Sequence, residues 1–215
     1  MLAFSSLLGN VEGQNIYRIW YDKPASYWEE ALPVGNGRIA AMVFGDPQLE
    51  QIQLNEETVS AGSPYQNYNE EAKTALPEMR RLIFEGKYEE AQNMAATKIL
   101  SQVGNEMPYQ TVGRLNIRYQ DHKKVNNYYR DLDISNAVAV TRYEVDGVEF
   151  TEETFASFTD QLVIRHIKAS KPGTINCELF FNTPMRDPKR SIYGKKGLRL
   201  EGITHGSRYF PGKVH

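Results

Sequence analysis

The sequence predicts a mainly β protein, a large antiparallel β-sandwich (supersandwich) with an inserted αα-hairpin. Three observations carry that prediction. Short runs alternating apolar and polar residues recur with tight turns between them, the pattern of antiparallel strands rather than of an α/β sheet. One hairpin, Leu32 to Gly62, with the almost uncharged run Ile39 to Phe44 inside it, stands out among them. Two stretches between about residues 69 and 103 switch instead to helical spacing.

Residues 1–14 read as a disordered leader or the remnant of a signal peptide, with an apolar run and small residues but no basic start. Ile16 to Tyr21 alternates, with Ile16, Arg18 and Trp20 on one side, and predicts a first strand. Pro24 ends it, and Ala25 to Ala31 reads as a short turn or helical piece carrying Trp28 towards the core. Gly35-Asn36-Gly37 accepts positive φ without a Cβ clash and opens the hairpin. Ile39 to Phe44 is expected almost fully buried. Gly45-Asp46-Pro47 reverses the chain, and Glu50 to Leu54 returns with Ile52 and Leu54 on one face.

Asn69 is placed to cap a helix, with Glu70 and Glu71 favourable at its positive end. Ala72, Leu76, Met79 and Ile83 then form an apolar stripe, interrupted at Pro77, where a kink or restart is expected. Gly86 suits the closing position, and Tyr88, Ala91, Ala95 and Ile99 mark a second helix ending near Gly104. From Tyr109 onward the pattern is β. Leu115, Ile117 and Tyr119 alternate, and Ala137 to Val145 with Val148 to Phe155 flank Asp146-Gly147, a type I′ hairpin signal. Gln161 to Ile167 and Thr174 to Phe181 read as a pair about Lys171-Pro172-Gly173. Arg186 to Lys196 is basic and loop-like, and Leu198 to Ile203 is one more strand.

Hydrophobic content of 40% and charged content of 24% are those of a globular chain, and 215 residues suffice to bury a large core. A formal charge of −2 with interspersed signs leaves no electrostatic footprint for nucleic acid or an anionic membrane. Thirteen Tyr, nine Phe and two Trp fit an all-β core first and sugar-facing surfaces second. The lone Cys177 excludes an internal disulfide and alternates with Ile175 and Leu179 as a small core residue.

Trp20-Tyr21-Asp22-Lys23-Pro24-Ala25, Trp28 and Ala31-Leu32-Pro33-Val34-Gly35-Asn36-Gly37-Arg38 resemble the start of the N-terminal domain of glycoside hydrolase family 95, the α-L-fucosidases and their relatives. Ala41 to Gly45, Gln53-Leu54-Asn55-Glu56 and the helical segment Arg80 to Ala91 are similar to that family as well. Two positions depart from its pattern. Ser60 stands where the family usually has tryptophan, and Phe158-Thr159 where histidine-proline is common. The resemblance implies that residues 15–215 are the N-terminal sandwich of an exported, periplasmic or extracellular, inverting enzyme for α-L-fucosides or related glycans. The catalytic residues would lie in a following helical barrel that this chain does not include. That barrel and the glycan are the implied partners, with no cofactor, no nucleic acid and no membrane, and self-association of the chain is left open.

The residues themselves assemble no catalytic pair. A glycosidase needs an acid and a base about 5–9.5 Å apart. Glu56 and Glu57 follow a buried strand but, being consecutive, point to opposite faces, so a structural role such as an ion pair with Arg38 is expected. Asp131 and Asp133 read as turn caps before a strand. His122, His166, His205 and His215 have no metal-ligand spacing, and no metal site is expected. The substrate-rim candidates are Asn55, Glu56 and Tyr65. The loop Asn55 to Tyr65 is expected to expose Val59, Pro64 and Tyr65 as an apolar contact face. A stand-alone carbohydrate-binding module and a structural or adhesive β-domain are the rival readings.

Overall fold

A computed structural model describes residues 17–62, 67–101, 109–206 and 212. The chain divides into two compact units, one made of residues up to Glu57 with Val112–Thr183, the other of Thr58–Thr111 and the residues from Pro184 onward.

The first unit is an antiparallel sandwich. One sheet runs β1 (Arg18–Tyr21), β6 (Val125–Asp133), β7 (Val138–Val145), β8 (Val148–Ser157), β9 (Leu162–Ala169). The other runs β10 (Cys177–Asn182), β5 (Gly113–Tyr119), β4 (Leu49–Glu56), β3 (Ile39–Val43), β2 (Leu32–Gly35). Facing residues Leu32, Val34, Ala41, Val43 and Ile52 pack with Leu132 and Ala139 of the opposite sheet into the main core. Each large side chain buried there contributes about 1.5–3 kcal/mol relative to leaving it in water.

The hairpin follows the expected register. Gly37 takes φ +91°, and the Asn36 amide oxygen accepts from the N–H groups of Arg38 (3.1 Å) and Ile39 (3.0 Å), closing the turn. β3 is not buried throughout. Ala41 and Val43 face the core; Ala40 and Met42 are half-buried on the outer face, and Ile39, on the core face, is half-buried where it lines a groove. Asp146 and Gly147 both have positive φ, 49° and 72°, as a type I′ turn requires.

Three expectations fail here. Trp28 sits in a single 3₁₀ turn (Trp28–Glu30) and is 51% exposed. The core beneath that turn is filled instead by Arg130, which donates to the carbonyls of Lys23 (2.8 Å) and Glu30 (2.7 Å). β9 and β10 are not partners: β9 pairs with β8 and β10 crosses to β5 in the other sheet. β6 was hidden in the sequence because a register shift between Asn126 and Tyr129, with Asn127 at φ 53°, breaks its alternation. Asp131 lies within β6, and only Asp133 caps a turn, accepting from the N–H groups of Ser135 (3.0 Å) and Asn136 (3.3 Å).

The second unit holds α1 (Ala72–Phe84), α2 (Tyr88–Met94), a π-helical turn (Ala95–Ile99) and the ribbon β11 (Arg186–Tyr193) with β12 (Gly197–Ile203). The Asn69 side chain accepts from the Glu71 N–H (3.0 Å), and its carbonyl from the Ala72 N–H (3.0 Å), at the start of α1. α1 runs through Pro77 without a restart. Its buried positions are Ala75 and Leu82, with Ile83 exposed, so the buried stripe lies one residue from the expected one. Gly86, at φ +76°, ends α1 with paired bonds: its N–H to Ile83 and that of Lys87 to Leu82. β11 replaces an expected loop. Its strongly charged sequence conceals a fully exposed strand, with Pro188 accommodated at an irregularity between Arg186 and Lys189.

Candidate functional site

β4 delivers the two described rim candidates, Asn55 and Glu56, half-buried at its end. Arg38 Nε stands 3.1 Å from Glu56 Oε1, and the Glu57 N–H donates to the Arg38 carbonyl (3.0 Å). Tyr65 and Pro64 lie outside the described residues. Val59 is not part of an exposed face: it is 5% exposed, and its carbonyl accepts from the Gln110 N–H (2.9 Å). Ser60, at the tryptophan position of the resemblance, forms an isolated antiparallel bridge with Tyr109.

The apolar surface of the first unit is elsewhere. The strongest contacts between the sheets are of β2 with β6, β7 and β8 and of β3 with β8 and β9. Beyond β9 the inward face of β4, β5 and β10 opens into a groove of about 570 Å³. Leu54, Leu115, Leu179 and Phe181 line one wall, Val163 and Ile167 the other, and Asn55 and Glu56 also line it. Leu179 is 47% exposed and Leu162, at its margin, 55%.

Arg165 also lines this groove and anchors a buried polar cluster. Its Nη2 donates to Glu50 Oε2 (2.6 Å) and to Glu152, and its Nη1 to Thr154 Oγ1 (2.8 Å). Glu50 Oε1 accepts from the N–H groups of Phe44, Gly45 and Gln51, and Glu152 Oε1 from the hydroxyls of Tyr119 and Tyr143, both at 2.6 Å. Burial pushes the Tyr119 hydroxyl up to about 12 and raises that of Tyr143 further. Both carboxylates are sealed from solvent, and every oxygen accepts from an internal donor, so they brace the core rather than meet a substrate. Sequence reasoning missed this cluster, although strand parity signals it. Glu50 shares its face with Ile52, Glu152 with Phe150, and Arg165 with Val163 and Ile167.

A second cavity, also about 570 Å³, lies at the opposite turns, lined by Asp121, His122, Asp146 and Asn176. His122 is buried against Tyr119 (ring centroids 4.4 Å) and Phe150 (4.5 Å), and burial lowers its pKa. No cluster of His, Cys, Asp and Glu suited to a metal ion occurs among the described residues. On the outer face of the first sheet, Trp20 is 61% exposed and stacks on Tyr129 at 6.3 Å.

Comparison with known proteins fits this architecture. A family model described as the N-terminal domain of glycosyl hydrolase family 65 matches residues 19–211. Alpha-L-fucosidase 2 of Arabidopsis thaliana is 37% identical over 181 residues, covering 81% of this chain and 21% of the plant protein. Probable alpha-fucosidase A of Aspergillus niger is 26% identical over 162 residues (71% of this chain, 20% of that protein). Its Aspergillus oryzae counterpart is 25% identical over 211 residues (92% and 28%). The chain therefore spans between a fifth and under a third of these curated relatives. It is an N-terminal domain homologous to those of α-fucosidases, and it belongs to the glycosyl hydrolase family 65 N-terminal domain family.

Proposed function

We propose that this chain is the non-catalytic N-terminal module of a larger, exported, inverting glycoside hydrolase of family 95, acting on α-L-fucosides or related glycans. The observation that carries the reading is the 37% identity to a plant α-L-fucosidase of which the chain matches only 21%. The chemistry of the described residues supports a bracing role. Glu50 and Glu152 are locked on Arg165, Glu56 is paired with Arg38, and Asp131 with Arg18 at 2.8 Å. In the larger enzyme the module braces an (α/α) barrel, and Asn55 and Glu56 approach the rim of its pocket.

The test has two arms. The pure 215-residue chain should not hydrolyse an aryl α-L-fucoside above a mock preparation. Grafted in place of the matching segment of the Arabidopsis enzyme, it should sustain hydrolysis. Turnover by the chain alone, or a folded but inactive graft, would overturn the reading. The exposed Trp20–Tyr129 pair favours a second reading, a carbohydrate-binding module in its own right. Saturable binding of fucosylated oligosaccharide to the chain alone, abolished by Trp20→Ala, would select it.

A further inference from the structure

We infer that the cavity lined by His122 is a saccharide subsite, which takes a pyranose unit through that sugar's hydroxyl donors. It shares no lining residue with the groove at Asn55 and Glu56 and includes neither Trp20 nor Tyr129. The inference stands on this chain alone, whatever larger enzyme it belongs to. Three connections of the first unit meet around the cavity. The link from β5 to β6 supplies Asp121 and His122, the β7–β8 turn Asp146, and the link from β9 to β10 Ile175 and Asn176. These connections are fastened to one another. The Gln120 N–H donates to the Asn176 carbonyl, and the Asn176 side-chain amide to Asp121 Oδ2, both at 3.3 Å, so the walls are set before a ligand arrives.

His122 points to a missing partner. It is 4% exposed, with its ring flat on Tyr119 and tilted against Phe150. Its Nδ1 stands 2.9 Å from the Pro47 carbonyl, which can only accept, so that nitrogen carries the proton. The Tyr143 hydroxyl, 3.3 Å from the same nitrogen, already donates to Glu152. Burial lowers the pKa of the ring, which is therefore neutral at physiological pH. Nε2 is then a bare lone pair on the ring edge away from Pro47. It has no donor among the described residues and faces the cavity that the residue lines. A buried acceptor is costly to leave without a donor.

The surrounding chemistry selects the ligand. Asp121 and Asp146 add carboxylate acceptors and Asn176 an amide, and no lysine or arginine is among the described lining residues, so an anion would meet only repulsion. The described residues offer no cluster suited to a metal ion. A compact ammonium needs its acceptors gathered at one point, whereas these come from three separate connections. Val148 and Ile175 supply aliphatic wall. Dispersed acceptors beside a small apolar wall match a pyranose, whose hydroxyls donate and whose C–H face is apolar, and about 570 Å³ is ample for one such ring.

Nitrogen NMR of the 215-residue chain, isotopically labelled at histidine, tests the assignment. Titration with methyl α-L-fucoside or methyl β-D-galactoside should move the His122 Nε2 resonance saturably, because that lone pair gains a hydroxyl donor, while Nδ1 stays nearly fixed on Pro47. Asp146→Gly removes a carboxylate and leaves Gly-Gly, a pair that the type I′ turn accepts. It should weaken binding about tenfold, the loss of one hydrogen bond to a charged group. Trp20→Ala should change neither the shift nor the affinity. The proposal is overturned if neither glycoside moves Nε2, or if Asp146→Gly binds as tightly as the unaltered chain. Loss of the shift in Trp20→Ala would also overturn it and place the sugar on the outer face of the first sheet. Butylammonium, a cation without hydroxyls, should not move Nε2; saturable binding of it in place of the glycosides would assign the cavity to an organic cation.

Discussion

The two sides of the second sheet are made of similar residues and differ in what covers them. On the β2–β3 side, Ala41 and Val43 lie beneath the first sheet at 1% and 2% exposure. On the β5–β10 side the same inward face presents Leu179 at 47%. Between them Arg165 holds two carboxylates, and its Nε–H has no acceptor among the described residues. Apolar content therefore does not locate the stable part of this molecule, because burial needs an opposing layer and the described residues provide one over only part of the sheet.

Arg165→Met is expected to have the largest effect. It leaves Glu50 and Glu152 buried without their shared cation, and breaking such a pair costs about 3–5 kcal/mol, against a typical net stability of about 5–15 kcal/mol. Urea unfolding should show a much lower midpoint or no folded baseline. An unchanged midpoint would mean that the cluster is not the hinge between the closed and open sides.

A paired truncation sharpens the contrast. Ile52→Ala, at 1% exposure, should cost about 2–5 kcal/mol, whereas Leu179→Ala should stay within about 0.5 kcal/mol. Equal costs in denaturant melts would show that the groove is closed in solution.

The cluster also sets an alkaline limit. The Tyr119 hydroxyl titrates near 10 when unfolded and at about 12 when folded, so the unfolded chain loses its proton first. The Tyr119 contribution should be constant below pH 10 and then fall by roughly 2–3 kcal/mol as pH rises towards 12. Tyr119→Phe should reduce that fall, leaving the part due to Tyr143, in melts recorded across the range. The smallest effect belongs to the rim. Arg38→Ala removes a half-exposed ion pair to Glu56 and should change stability by about 0–1 kcal/mol in the same assay.

Much of this architecture was legible in the sequence, and the failures have physical causes. The hairpins at Asn36-Gly37 and Asp146-Gly147 were readable because positive φ leaves a strong residue signature. β6 and β11 were not, since a bulge in one and dense surface charge in the other erase the two-residue period. The partners of β9 and β10 were missed because adjacency in sequence suggested a hairpin, whereas the chain crosses between sheets there. Asn55 and Glu56 were found from their position after a buried strand. The groove they line was not, because it arises from the stagger between the sheets, which no local pattern records.

Amide hydrogen exchange on the 215-residue chain tests the central contrast most directly. β3 and β4 should exchange only through global unfolding, while β10 and the outward amides of β9 exchange faster through local opening. Protection of β9 and β10 equal to that of β3 and β4 would contradict the account, because the sandwich would then be closed on both sides.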